Sequence, residues 1–167
     1  MEHLHAYWRM EYLKAPRLPD SESPFRDLIE SGNDQEALIV YRARKTCLML
    51  NRFPYNAGHL LILPLREVAD LPDLDEEERS EFMLQMINGE KLLRQTIKPD
   101  GFNFGINIGK SSGAGLPAHL HAHIVPRWNG DSNFMPVVGD TSVLPISLEK
   151  LWKLLSEAAR ESLRNYE

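Results

Sequence analysis

The chain has 167 residues, 43% of them hydrophobic, enough for one compact domain with a real core and room for extra arms. Its 24 acidic against 19 basic residues give a net charge of -5, which argues against a general binder of nucleic acid or anionic membrane and leaves room for a local basic pocket. The single cysteine, Cys47, excludes an internal disulfide framework, no apolar run is long enough for a membrane span, and Met1-Glu2-His3-Leu4 does not read as a signal peptide; a soluble cytoplasmic protein is expected.

Residues 1–33 read as an N-terminal arm. Trp8-Arg9-Met10-Glu11-Tyr12 is a short amphipathic patch, and Pro16, Pro19 and Pro24 interrupt the chain beyond it, so regular structure is not expected over much of this length. A core domain over residues 34–128 is expected to begin with a hairpin. Ala37-Leu38-Ile39-Val40-Tyr41 and Thr46-Cys47-Leu48-Met49-Leu50-Asn51 are runs of strand formers on either side of a charged turn. Phe53 to Gly58 is a turn, and His59 to Pro64 a third strand ending at its proline.

Residues 73–98 predict a long helix. Asp75, Glu76, Glu77 and Glu78 crowd its start, where the helix dipole favours negative charge, and read as a solvated face. Phe82, Met86, Leu93 and Ile97 form an apolar stripe at helical spacing, and Met83, Met86 and Ile87 are expected in the core. Residues 102–108 alternate as a fourth strand, and Gly109-Lys110-Ser111-Ser112-Gly113-Ala114-Gly115 returns the chain to a fifth. Beyond Trp128 the chain turns polar, and Leu148, Leu151, Trp152, Leu155 and Ala159 mark a closing helix capped by Ser147. Five strands and one crossing helix predict an α+β domain, with residues 129–167 a C-terminal extension.

The fifth strand carries the chemistry. In His119-Leu120-His121-Ala122-His123-Ile124-Val125-Pro126 three histidines occupy every second position, so a strand turns them to one face and Leu120, Ala122 and Ile124 to the other. Two chemistries suit such a row. Imidazoles two residues apart can hold a metal with a third ligand. Without a metal, one neutral imidazole can attack a phosphoryl or acyl centre while its neighbours bond the oxygens. The preceding glycine-rich loop favours phosphate, because its backbone N–H groups can turn towards an anion with no Cβ in the way. Its spacing and the strand after it do not suit a Walker A loop.

The histidine row resembles the His-x-His-x-His-x-x motif of the histidine triad (HIT) family of nucleotide hydrolases and transferases. Asn51-Arg52 with Pro54, then Gly58-His59-Leu60-Leu61-Ile62-Leu63-Pro64, is similar to the family's nucleoside-binding strand pair. The resemblance runs from about residue 7 to residue 145 and implies a HIT-like fold: a five-stranded antiparallel sheet with one long crossing helix and a C-terminal helix. It implies that His121 is the nucleophile taking a nucleoside monophosphate as a covalent phosphoramidate, that His119 orients it, and that His123 contacts the α-phosphate or assists the leaving group. By the same resemblance Asn51 bonds the ribose, His59 supports the triad, and Asn107 and Gly115 bind phosphate. It implies a nucleotide substrate and a homodimer, with no nucleic-acid or membrane partner and no cofactor.

Many bacterial members bind structural zinc through a Cys-x-x-Cys pair, a histidine after the third strand and the first triad histidine. Here the corresponding places hold Ser23, Arg26 and Glu67, so no metal is expected. Pro126-Arg127-Trp128-Asn129-Gly130-Asp131 and Phe134-Met135-Pro136 resemble the branch that includes diadenosine tetraphosphate phosphorylases, whereas Pro64-Leu65-Arg66 is similar to the fragile histidine triad hydrolases. Phosphorylase members often carry a serine where Gly115 stands, which tilts the expectation towards water as the second acceptor. Phosphorolysis and a non-catalytic nucleotide sensor remain the alternatives.

Overall fold

The computed structural model describes residues 23–131 and 146–163. The Trp8–Tyr12 patch, Pro16, Pro19 and the Phe134–Pro136 element lie outside the described residues. Five strands, β1 (Ile39–Arg42), β2 (Thr46–Leu50), β3 (Leu60–Pro64), β4 (Gly101–Ile106) and β5 (Ala122–Arg127), form one antiparallel sheet in the order β1-β2-β3-β5-β4. The α+β architecture read from the sequence is the one observed.

Both β2 and β3 are buried at every position, because both faces of the sheet are covered. On one face Leu48, Leu50, Leu60, Ile62 and Ile124 pack with Phe82, Leu92 and Leu93 of α3 (Glu76–Thr96) and with Leu151, Trp152 and Leu155 of α4 (Leu148–Ser162). On the other, Cys47, Met49, Leu61 and Leu63 pack with Ile29 of α1 (Pro24–Glu30) and Ala37 of α2 (Asp34–Ala37). His123 pairs with Leu61 across β3 and β5, so it points to the face that α1 covers. The histidine row and the long helix are thereby on opposite sides of the sheet.

Several elements differ from the sequence reading, each for a local reason. Pro24 does not interrupt structure; it stands at the first position of α1, where no N–H is needed and a fixed φ helps, with Ser23 as N-cap. Ala37 and Leu38, read as the first strand, close α2 instead, with Leu38 left-handed at φ 60° and its N–H bonded to Asp34 O and Gln35 O. A 3-10 turn at Leu71–Asp73 precedes α3, which starts at Glu76 behind a capping box of Asp75 and Glu78. Glu78 is not on a solvated face: it is 4% exposed and accepts both Nε and Nη2 of Arg66, at 3.0 and 2.8 Å.

Met83 and Ile87 are 57% and 46% exposed, not core. The face that α3 turns to the sheet runs through Phe82, Gln85, Gly89, Leu92 and Leu93, and these two side chains lie off that line. Gly89 lets the helix approach closely: a Cβ there would stand 2.5 Å from Ile124 Cδ1. At the closing helix Ser147 is the N-cap, as its position suggested, and the Trp152 indole N–H donates to Ile39 O at 2.9 Å.

Candidate active site

β5 begins at Ala122, so His119 and His121 precede the ladder they were expected to join. The last rung is Ala122 opposite Ile62 and Ile106, and upstream of it the backbone bonds to the segment after β3 instead, with Leu120 N–H on Val68 O at 2.6 Å. Alternation nevertheless persists. Leu120 joins Val68 and Leu74 in a small apolar cluster, while His119 and His121 are 0% and 7% exposed.

The hydrogen bonds assign a tautomer to each ring. His119 Nε2 lies 2.9 Å from Pro64 O, a carbonyl that can only accept, so Nε2 carries the proton and Nδ1 accepts from the Ser23 hydroxyl at 3.2 Å. His121 Nδ1 lies 2.8 Å from His119 O, so its proton is on Nδ1 and Nε2 keeps a lone pair. The Tyr55 backbone N–H donates to His59 Nδ1 at 3.1 Å, with Asn51 Nδ2 at 3.4 Å, which leaves His59 Nε2–H to donate to His123 Nδ1 at 2.9 Å. His123 therefore carries its own proton on Nε2. The result is an unprotonated nitrogen on His121 beside an N–H on His123, with ring centroids 5.0 Å apart.

Burial acts on the same groups. It pushes the pKa of both His119 and His121 below the ordinary histidine value by disfavouring the charged ring; the bond to Pro64 O and that to His119 O oppose the shift only in part. An unfolded chain takes up these protons from about pH 6.5 downward while the native state refuses them, so stability falls with pH in that window. Urea midpoints measured from pH 8 to pH 5 are expected to drop below pH 6.5, well above the range where the lowered carboxylates Asp75, Glu77, Glu78 and Asp131 respond. A flat profile down to pH 5 contradicts the buried neutral pair.

Of the residues named from sequence, the contacts join His59 to His123, and Asn51 only to His59. Asn51 also accepts the Phe53 N–H at 2.9 Å, so it shapes the turn as well. Asn107 directly follows the last rung of β4, and Gly115 is exposed in the loop before His119; no hydrogen bond among the described residues ties either one to the histidines.

Sequence reading missed three contributors. Tyr55 stacks on His59 at 5.1 Å and supplies the N–H that sets its tautomer. Phe25 of α1 stands edge-on to His119 and His121 at 5.8 and 5.3 Å. Asn56 anchors the 53–58 turn by donating to Pro126 O and to Asp131 Oδ2 at 3.2 and 2.9 Å, where Asp131 is held ionised by a bidentate Arg127. Asn56 and Asp131 lie in the turn and in the segment after β5, both legible as motifs, but nothing in either motif signals that they pair.

The places that hold zinc in related sequences do not fit a metal here. Both nitrogens of His119 are engaged, and the Arg26 guanidinium stands 3.7 Å from the Glu67 carboxylate, a cation where a ligand would be needed. Metal binding by the triad meets a similar obstacle, because only one nitrogen of His119 and His121 together remains uncommitted.

A sheet of this order, with a row of three histidines running into its fourth-placed strand and only His123 on the ladder, is the arrangement of a histidine triad protein. The HIT domain pattern matches residues 33–130, and the chain belongs to that family. It is 39% identical to an AP-4-A phosphorylase of Mycobacterium tuberculosis over 96% of this chain and 86% of that one. A bis(5'-adenosyl)-triphosphatase of Saccharomyces cerevisiae is 36% identical over 54% of this chain and 44% of its own. Among solved structures, a histidine triad nucleotide-binding protein of Sulfolobus tokodaii superposes with a TM-score of 0.70 at 26% identity, covering 86% of this chain and 96% of that one. A zinc-bound histidine triad protein of Mycobacterium smegmatis superposes at 0.69 with 24% identity, over 89% of this chain and all of that one, and shows the shared fold.

Proposed function

We propose that this protein cleaves dinucleoside polyphosphates at the α-phosphate through a nucleotidyl-His121 intermediate that water resolves. The observation that carries this reading is the bond from His121 Nδ1–H to His119 O, which leaves a neutral, nucleophilic Nε2. In the first step the Nε2 lone pair attacks phosphorus, the P–Nε2 bond forms and the P–O bond to the leaving nucleotide breaks. The leaving polyphosphate departs as an anion and needs no proton, while His123 Nε2–H bonds a phosphate oxygen as charge develops. The phosphorylated ring carries a positive charge that His119 O stabilises through Nδ1–H. Water then attacks phosphorus: the new P–O bond forms as the P–Nε2 bond breaks, the bonding pair returns to Nε2 so that His121 is again neutral with its proton on Nδ1, and the proton lost by water passes to solvent. Asn51 at the turn would bond the ribose, and Asn107 and Gly115 would line the phosphate path.

The acceptor has a second reading. The relative matched over 96% of this chain is named a phosphorylase, which favours inorganic phosphate in place of water. One experiment separates them: diadenosine tetraphosphate is incubated with chelator, with and without phosphate, and products are resolved by anion exchange. AMP plus ATP, independent of phosphate, is the expected result. ADP plus ATP only with phosphate makes it a phosphorylase, and tight binding without turnover makes it a sensor.

The active species is a homodimer in this reading. β4 is a sheet edge with Phe104 41% exposed, and α3 presents Met83 and Ile87 outward. Light scattering should give twice 19.2 kDa, and the double substitution Met83→Glu with Ile87→Glu should return it to 19.2 kDa. A monomeric parent protein rejects the idea. A cytoplasmic location belongs to the same reading, because nucleotide substrates of this kind are met inside the cell. No helix among the described residues is long and apolar enough to cross a membrane.

A further inference from the structure

We propose that Ser23 is a positioning residue of this active site, holding the His119 ring in one tautomer and, through His119, the nucleophile His121. The proposal rests on the function proposed for the triad and adds α1 to the catalytic unit. As an N-cap, Ser23 needs only to accept a backbone N–H, and it does so from Phe25 at 3.3 Å. Its hydroxyl hydrogen is then spare, and His119 Nδ1 lies 3.2 Å away. Both residues are buried, at 2% and 0% exposure, so water cannot substitute freely for either partner.

The chemistry is selective for a hydroxyl. His119 Nε2–H is committed to Pro64 O, so Nδ1 must accept, and a residue at position 23 has to accept from the helix and donate to the ring at once. A carboxylate caps equally well and cannot donate. If the His119 ring turns or changes tautomer, the Pro64 bond is lost, and with it the registration of the His119 carbonyl that takes His121 Nδ1–H. Phe25, in the first turn of α1, packs edge-on against both rings. The Arg26–Glu67 pair braces the same helix to the segment after Pro64. A serine hydroxyl and an ion pair thus make a metal-free clasp where the donor set for zinc is missing.

The test compares Ser23→Ala, Ser23→Asp and Ser23→Thr by steady-state kinetics and by the 15N resonances of the imidazole nitrogens. Ser23→Ala is expected to lower kcat roughly 10- to 100-fold with KM within about twofold, because the nucleophile is misplaced and the substrate contacts are not. Ser23→Thr, with its hydroxyl, should retain most of the activity. In the parent protein at pH 8 the spectra should show His119 protonated on Nε2 and His121 on Nδ1, and in Ser23→Ala these assignments should collapse to averaged values. Ser23→Asp keeps the cap and serves if the alanine variant does not fold; having no donor, it can meet Nδ1 only if that nitrogen takes up a second proton, so the 15N spectra should show a charged His119 in place of the neutral tautomer, and kcat should fall. Unchanged kcat and unchanged ring tautomers, even with a lower thermal midpoint, overturn the proposal and leave Ser23 a helix cap. If the parent turns over no dinucleotide, the functional reading fails while the 15N spectra still decide the clasp.

Discussion

His121→Asn is expected to lower kcat on dinucleoside polyphosphates by roughly 10⁴-fold or more, with KM little changed. Losses of that order arise when the group that forms the covalent bond is removed from a site that otherwise survives. Asparagine is close to histidine in size, and its side-chain amide can still donate to His119 O, so the buried carbonyl keeps a partner. What disappears is the nitrogen lone pair. The check is twofold: turnover by chromatography, and intact mass after an alkaline quench, which preserves a phosphoramidate. The parent protein should gain the mass of one nucleotidyl group and the variant none. A variant within about tenfold of the parent in kcat sinks the covalent mechanism.

Gly58→Ala is expected to carry the largest stability loss of any single-methyl substitution proposed for this chain, about 2–5 kcal/mol, because two costs coincide. Gly58 sits at φ +79°, where an L side chain is strained by about 1–2 kcal/mol. Its Cβ would also stand 2.5 Å from Ile97 Cδ1, 3.1 Å from Leu93 Cδ2 and 3.2 Å from Pro126 Cγ, an overpacking that costs about 1–3 kcal/mol. Ile97 can turn part of the way, but Leu93 is fully buried. Gly32 provides the control, since it has φ +68° and nothing within 4 Å of its ideal Cβ. Gly32→Ala should show the backbone cost alone. Equal denaturant midpoints for the two variants would show that packing contributes nothing at Gly58. Because His59 is the next residue, the shift should also disturb the bond to His123 and reduce activity.

Much of the architecture was legible because local and long-range preferences agree. β2, β3 and the residues around Ile124 are strand formers in short apolar runs, and helices cover both faces of β2 and β3. Ser147 caps α4 as its position suggested, and Phe82, Leu93 and Ile97 face inward as their spacing required. The misreadings share a cause. Met83 and Ile87 are as apolar as their neighbours, and only the contact line of α3 on the sheet decides that they point outward. Glu78 belongs to an acidic run, yet Arg66 draws it into the interior from beyond the end of β3, twelve residues earlier. Pro24 reads as a breaker until a helix is seen to start on it.

By itself the sequence determined the histidine row and its alternation, since a period of two with apolar residues between suits extended chain with one face covered; that the ladder takes in only His123, and leaves His119 and His121 upstream of it, was decided by the fold. It also determined the absence of the zinc-binding residue set, which is a matter of side-chain identity at Ser23, Arg26 and Glu67. Only the tertiary structure decided which nitrogen of each ring is protonated. That depends on acceptors and donors from distant segments: Pro64 O and Ser23 for His119, the Tyr55 N–H for His59, and His59 in turn for His123. A tautomer is a property of a ring's surroundings, and those surroundings exist only once the chain has folded.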